Sequence, residues 1–116
     1  MIYGSGNQTR CFGYVDDVVD ALIGLMASKE KAYGQIFNVG SDEEISIKDL
    51  AQKIIELTAS PSKINFISYA EVYGSDFEDM LHRKPDLAKI KEAINYQPKF
   101  TLEESIEKII EYFRSH

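Results

Sequence analysis

The run from Tyr3 to Val19 constrains the fold of this chain more than any other stretch. It begins with a polar turn that contains Gly4 and Gly6, continues as a short aromatic segment over 11–15, and then adopts apolar spacings of three and four residues. That spacing is typical of an amphipathic helix. The run therefore predicts a turn, a short strand and a helix in succession, which indicates a mixed α and β fold.

The rest of the chain continues this alternation of short elements. Strands are predicted at 2–3, 35–40 and 63–67, helices over 18–26, 47–57, 87–94 and 102–113, and a polar loop from 68 to 84. We find no repeat and no linker in the sequence. The predicted fold class is therefore α/β, a helix-rich fragment with short strands.

Three helix starts carry capping residues. Ser46 with Asp49, and Thr101 with Glu104, have the spacing of capping boxes, in which side chains accept from the free N–H groups of the first turn. The aspartate pair at 16–17 is expected to cap the first helix, where a carboxylate also faces the positive end of the helix dipole.

Composition excludes several classes of function. The 116 residues suit one domain or part of a larger one, and the net charge of -6 argues against a nucleic-acid partner, which needs clustered basic residues. Cys11 is the one cysteine, so no internal disulfide forms, and His82 and His116 are too few for a metal site. We expect no metal.

No stretch approaches 18 consecutive apolar residues, and the first four residues have neither a basic patch nor an apolar signal core. We therefore expect no membrane span and no secretion signal. The cytoplasm is the expected location.

The glycine pair at 4–6 does not form a dinucleotide-binding fingerprint. That motif needs a buried strand before it, a third glycine three residues on and a helix directly after it. Here Thr9 occupies the third position and a strand is predicted to follow. We expect a tight turn in which the glycines adopt positive φ.

Two arginines are the candidate binding residues. Arg10 follows the glycine turn, and its planar guanidinium suits a phosphate or carboxylate, although an arginine before a strand is more often an ion-pair member or a surface residue. Arg83 lies in the basic triplet 82–84, for which solvated charge is the ordinary interpretation. Asp86, after Pro85, is interpreted as a helix cap.

Both arginine segments resemble one family in the same order. The run Gly6-Asn7-Gln8-Thr9-Arg10-Cys11-Phe12-Gly13-Tyr14-Val15-Asp16-Asp17, the run Arg83-Lys84-Pro85-Asp86, and the landmarks at 37–40 and 95–102 resemble NAD-dependent sugar-nucleotide epimerases, dehydratases and decarboxylases. These enzymes are extended short-chain dehydrogenases. The resemblance is strongest to UDP-glucuronic acid decarboxylases and UDP-sugar epimerases, and it spans nearly the whole chain.

The resemblance implies a set of substrate-binding residues. By register, Arg10 contacts the diphosphate of a UDP- or dTDP-sugar, and the backbone of Tyr3 lies along the pyrimidine base. Gln8 lies near the ribose and diphosphate. Arg83 enters the cleft close to the nucleotide sugar, with Glu78 and Asp79 either orienting it or serving as ordinary loop carboxylates. Asp17 is interpreted as a cap and not as a catalyst.

The catalytic residues of the family are not found in this chain. They include a tyrosine with a lysine four residues later, and none of the seven tyrosines here has that neighbour. The resemblance implies that residues 1–116 are the C-terminal nucleotide-sugar-binding domain, without the N-terminal Rossmann domain that binds NAD. No cofactor is expected in the fragment, which would be inactive alone. In the parent, NAD would oxidise the sugar C4 hydroxyl before decarboxylation or epimerisation.

Two alternatives stay open. One is a fragment of a dTDP-sugar dehydratase, although uracil is preferred over thymine, and the other is a binding or adaptor module without chemistry. The expected partners are a nucleotide sugar and the absent Rossmann domain, with a homodimer among the candidates. An enzyme fragment should expose an apolar face where its partner domain packs, whereas an adaptor should not.

Overall fold

A computed structural model describes residues 1–75, 77 and 79–116, which form two compact units. The first unit comprises Met1–Arg10 and Glu44–Arg83, and the second comprises Cys11–Glu43 and Lys84–His116. Helices and very short strands alternate along the chain. This arrangement confirms the predicted mixed α and β fold.

The strands are β1 (Ile2–Tyr3), β2 (Thr9–Cys11), β3 (Glu44–Ser46) and β4 (Phe66–Ile67). The helices are α1 (Val15–Ala27), α2 (Ile47–Thr58), α3 (Tyr69–Tyr73), α4 (Ala88–Ile94) and α5 (Leu102–Ser115), with a 3₁₀ turn at Lys29–Lys31. β1 pairs in parallel with β4, and β2 pairs with β3. None of the described helices is long and apolar enough to cross a bilayer.

Helix α2 belongs to the first unit and has Ser46 as its N-cap residue, as predicted, although the Asp49 side chain accepts from the Ser46 hydroxyl at 2.7 Å and does not complete a capping box. The Ser46 side chain accepts a hydrogen bond from the backbone N–H of Asp49 at 3.0 Å. The helix ends where Ala59 adopts the left-handed conformation, with φ of 51°, shortly before Pro61. The expected strand at 63–67 shortens to β4, because only Ile2 and Tyr3 are available to pair with it in parallel.

The second unit is built around one apolar cluster. Its buried members are Ala21 of α1, Leu87, Ile90 of α4, and Tyr96. The Tyr96 hydroxyl donates to the carbonyl of Gly40 at 2.6 Å, so the buried ring also satisfies a backbone acceptor. The predicted capping box of α5 is present, with the Thr101 side chain accepting from the N–H of Glu104.

Two predicted strands are wrong. The segment 11–15 leaves the strand conformation at Cys11, because β3 offers only three residues to pair with β2, and Val15 already belongs to α1. The segment 35–40 has no strand partner among the described residues. Phe37 and Val39 still pack against the apolar cluster of the second unit.

The aspartate pair 16–17 lies in the first turn of α1, near the positive end of the helix dipole as predicted, but neither residue is the N-cap. Tyr14 is the N-cap residue of α1, and it makes no side-chain capping hydrogen bond. Asp17 is buried, and its carboxylate accepts from the backbone N–H groups of Lys99 and Phe100 at 2.9 and 3.3 Å. It therefore holds the turn before α5. The predicted cap at Asp86 is also wrong by one residue, since Leu87 is the N-cap residue of α4, although the Asp86 carboxylate still accepts from the N–H of Ala88 at 2.9 Å.

Candidate functional site

The start of α2 positions the loop that carries the first candidate residues. The backbone N–H of Ile47 donates to the carbonyl of Gln8, and that of Lys48 donates to Gly6, both at 3.0 Å. N–H groups in the first turn of a helix lack partners within the helix, so they are free for this use. The glycine loop is therefore anchored to a stable element of the first unit.

Gly4 packs closely against the ring of Tyr69. Its φ is +72°, and a Cβ atom built on it would overlap Cε2 of Tyr69. Only glycine combines this backbone conformation with so close an approach. The contact allows the ring to lie against the backbone and directs its hydroxyl toward the candidate residues.

A chain of hydrogen bonds links Tyr3 to Asp79. The side-chain amide of Gln8 donates to the carbonyl of Tyr3 at 3.0 Å and to the hydroxyl of Tyr69 at 2.9 Å. That hydroxyl then donates to Oδ2 of Asp79 at 2.9 Å. Gln8 is 7% exposed, and both hydrogens of its amide are used in these bonds. This buried side chain therefore connects the backbone of Tyr3 to the side chain of Tyr69.

Arg10 is bound to the other end of this chain. Its Nη2 donates to Oδ1 and Oδ2 of Asp79 at 2.9 and 3.0 Å, and its Nη1 donates to the carbonyls of Thr9 and Met80 at 2.7 and 2.9 Å. The side chains of Arg10 and Asp79 are 20% and 22% exposed. The guanidinium is thus held in one orientation but stays in contact with solvent.

Arg83 meets the same short segment. Its Nη2 lies 3.5 Å from Sδ of Met80, and its side chain is exposed. Because Arg10 contacts the carbonyl of Met80, the two arginines flank one residue. The N–H of Thr9 donates to the carbonyl of Leu81 at 2.7 Å, which fixes the segment beside β2.

A second polar contact supports this placement. The Thr9 hydroxyl donates to Oε1 of Glu44 at 2.5 Å and lies 2.9 Å from Nδ1 of His82. His82 and Glu44 are 3.5 Å apart at their closest side-chain atoms. These contacts join β2 and β3 to the residue that precedes Arg83.

The charges at the site are set by these neighbours. The Tyr69 hydrogen bond is the largest influence and lowers the pKa of Asp79; burial opposes it, and the positive charge of Arg10 is a smaller influence that lowers the pKa further. Burial, followed by the bond to Asp79, raises the pKa of Tyr69. At neutral pH Asp79 is therefore an anion and Tyr69 a neutral donor, which agrees with the direction of the hydrogen bond between them.

Aromatic rings border the polar network. Tyr73 and Phe77 are stacked with ring centroids 4.4 Å apart, and Tyr3 meets Tyr73 edge to face at 5.8 Å. Each of these three rings is exposed. The first unit thus presents flat apolar surface beside two arginines, a combination that suits a ligand with both a ring and an anionic group.

The four residues predicted from the sequence all lie in the first unit, namely Tyr3, Gln8, Arg10 and Arg83. Tyr69, which joins Gln8 to Asp79, is not among the predicted residues. The segment 68–84 is predicted to be a loop, although it contains α3 with a complete capping box between Ser68 and Glu71. The spacing of three residues between Ser68 and Glu71 is the feature of the sequence that could have predicted the start of α3. Asp79 binds Arg10, and the predicted role of Glu78 falls outside the described residues.

Comparison with known proteins identifies the family. Residues 1–109 match a family profile described as GDP-mannose 4,6 dehydratase. The chain is 44% identical over 114 residues to UDP-N-acetyl-alpha-D-glucosaminuronate decarboxylase of Bacillus cytotoxicus, and the alignment covers 98% of this chain and 35% of the relative. It is 40% identical over 113 residues to UDP-glucuronic acid decarboxylase 1 of Xenopus tropicalis, covering 97% of this chain and 25% of the relative.

The solved structures agree. UDP-glucose 4-epimerase of Thermotoga maritima, determined with UDP-glucose, superposes with a TM-score of 0.83 at 29% identity, covering 98% of this chain and 34% of the epimerase. The chain therefore spans about a quarter to a third of the length of these relatives. The resemblance inferred from the two arginine segments is confirmed. The chain belongs to the NAD-dependent epimerase and dehydratase family that the GDP-mannose 4,6 dehydratase profile describes.

Proposed function

We propose that this chain is the nucleotide-sugar-binding part of a longer NAD-dependent enzyme, a UDP-sugar decarboxylase or 4-epimerase, and that it carries out no redox chemistry by itself. The observation that carries the proposal is the meeting of Arg10 and Arg83 at Met80, beside exposed aromatic rings. The relatives named above act on UDP-sugars, which combine a planar base with a diphosphate.

Each residue has a distinct part in this proposal. Arg83 offers an exposed guanidinium to the diphosphate or to a sugar carboxylate, and Arg10 adds a second positive charge next to it. The backbone of Tyr3 lies along the base. Gln8 is buried and positions the site indirectly, because its amide donates to the carbonyl of Tyr3 and to the hydroxyl of Tyr69. Holding the substrate in one place is the contribution of such residues to catalysis.

NAD does not fit the described residues. The glycine turn leads into β2 and not into a helix, and the N–H groups at the start of α2 that face the turn are already bonded to the carbonyls of Gly6 and Gln8, so they are not free to bind a pyrophosphate. A Cβ atom at Gly6 would lie 3.1 Å from Lys48 and Phe66 side chains, so the space beside this glycine is already filled. We therefore assign the binding of NAD to a part of the parent enzyme outside this chain.

The surface of α1 supports a further domain in the parent. One face of this helix exposes a continuous apolar stripe with helical spacing, made of Val15, Val19, Leu22, Ile23 and Met26. Single exposed apolar residues are ordinary, whereas a continuous stripe indicates a surface that packs against a partner. We propose that the cofactor-binding domain covers it. A self-contained adaptor module would not need such a face. A homodimer and the cytoplasmic location stay predictions.

Replacing Arg83 by glutamine tests the proposed site. We expect UDP and UDP-glucuronic acid to bind the wild-type chain, and Arg83→Gln to weaken both by roughly tenfold, because a charge-assisted hydrogen bond to the ligand is lost. Chemical-shift titrations by NMR measure the dissociation constants. Arg114→Gln, which removes an exposed arginine of α5, is the matched control and should bind like the wild type.

Titrations with dTDP in parallel test the preference for uracil. Wild-type chain that binds none of these nucleotides at millimolar concentration would contradict the proposal. Equal weakening by Arg83→Gln and Arg114→Gln would show that net charge, and not the site at Met80, governs binding.

A further inference from the structure

We propose that Asp79 is an internal anion that occupies Arg10 in the free protein, that the diphosphate of the ligand takes its place, and that Tyr69 holds Asp79 in the occupied position. This inference rests on the proposed function, because it concerns the same site. It adds a competition within the protein that sets how tightly the site binds.

The hydrogen bonds of Arg10 carry the argument. A guanidinium has five N–H donors, and four of them lie on the two terminal nitrogens. In this structure Nη1 has two carbonyl acceptors, and Nη2 contacts both oxygens of Asp79. A bidentate hold on a phosphate needs two neighbouring donors on one edge of the group. Each edge of the guanidinium that presents two donors includes Nη2, and Nη2 is bound to Asp79. A ligand can therefore gain a bidentate hold only by replacing Asp79.

Tyr69 determines how firmly Asp79 is kept in this position. Its hydroxyl donates to Oδ2 of Asp79 while it accepts from Gln8. The ring cannot move toward Gly4, because the glycine lies against its edge. Asp79 is therefore bound by both Arg10 and Tyr69, and the ligand has to offset the loss of these bonds.

Movement of Asp79 would also affect the second arginine. Asp79 is joined directly to Met80, which contacts both Arg10 and Arg83. Asp79 is 22% exposed, so a ligand from solvent can reach it. Displacement of the aspartate thus provides a way for one anion to engage both guanidinium groups. The diphosphate is the part of the proposed ligand with the matching charge.

Titration of inorganic pyrophosphate and of UDP into variants tests the exchange. Asp79→Asn keeps the size of the side chain but removes its charge, so we expect both ligands to bind roughly three- to tenfold more tightly than to the wild type. Tyr69→Phe removes one partner of Asp79 and should give a smaller gain in the same direction. Asp42→Asn, at a carboxylate paired with Lys91, is the control and should leave binding unchanged.

The outcomes separate this inference from the proposed function. If the wild type binds both ligands and Asp79→Asn binds them equally or more weakly, the exchange is overturned. The site then stays in place, with Asp79 as an orienting partner of Arg10. Absence of binding in the wild type and in every variant would overturn both. Unchanged affinity in Tyr69→Phe would remove Tyr69 from the proposal.

A measurement on the wild-type chain covers the case in which Asp79→Asn does not fold. The carboxyl ¹³C signal of Asp79 reports on its partners and should shift when pyrophosphate saturates the site, whereas that of Asp42 should not. A stationary Asp79 signal under saturating pyrophosphate would show that the aspartate stays on Arg10, and the exchange would be wrong.

Discussion

Replacing Asp17 by alanine is expected to lower the free energy of unfolding by about 2–4 kcal/mol, because two buried backbone N–H groups lose a charged acceptor. Asp17 is 2% exposed and accepts from Lys99 and Phe100. Alanine supplies no acceptor, and water has little access to the site. Urea denaturation followed by circular dichroism measures the loss.

Two variants separate the acceptor from other effects. Asp16→Ala removes an exposed carboxylate from the same helical turn, so it should cost only the interaction with the helix dipole, about 0.3–1 kcal/mol. Asp17→Asn retains one oxygen as an acceptor and should fall between the two alanine variants. Equal losses in Asp16→Ala and Asp17→Ala would show that the bonds to the turn before α5 contribute nothing to stability.

Asp17 also shows where prediction from the sequence reaches its limit. Its place near the start of α1 is typical of a cap, and a local pattern can support no other interpretation. Its partner, Lys99, lies 82 residues further along the chain. The caps at Ser46 and Thr101 were predicted correctly because donor and acceptor are three residues apart. Hydrogen bonds between residues close in sequence can be predicted from local patterns, whereas hydrogen bonds that join distant segments cannot.

The strand predicted at 35–40 failed for a related reason. Two of its apolar residues, Phe37 and Val39, do pack on the cluster of the second unit, whereas Ile36 is exposed. A strand, however, is defined by a partner, and the pattern of a segment contains no information about one. Side chains provide hydrogen bonds to its backbone instead. For example, Lys89 donates to the carbonyl of Ile36 at 2.9 Å.

The candidate site was only partly predictable. Arg10 and Arg83 were selected because each matched a family segment, and nothing in their local sequence showed that both would contact Met80. The acceptors of Arg10 were not foreseen, since Asp79 lies 69 residues away. Tyr69 was missed although the capping box around it is a local signal. The sequence predicted the residues that match a ligand-binding motif. It did not predict the residues that position them through hydrogen bonds.

Replacing Gly4 by alanine is expected to destabilise the chain by roughly 2–4 kcal/mol, through backbone strain and overpacking together. The left-handed φ of +72° penalises any side chain. The new methyl group would also overlap Cε2 of Tyr69. The ring has little freedom to withdraw, because its hydroxyl is bound to Gln8 and Asp79. Thermal and urea unfolding measure the effect.

Gly34→Ala isolates the part that comes from the backbone. Gly34 has a similar φ of +66°, but no atom lies within 4 Å of the site for its Cβ. We expect this control to cost only about 1–2 kcal/mol, as an isolated left-handed residue does. In a Tyr69→Ala background, Gly4→Ala should cost no more than Gly34→Ala, because the obstructing ring is gone. If Gly4→Ala costs the same with and without the Tyr69 ring, the packing of that ring on the glycine does not fix the geometry of the site.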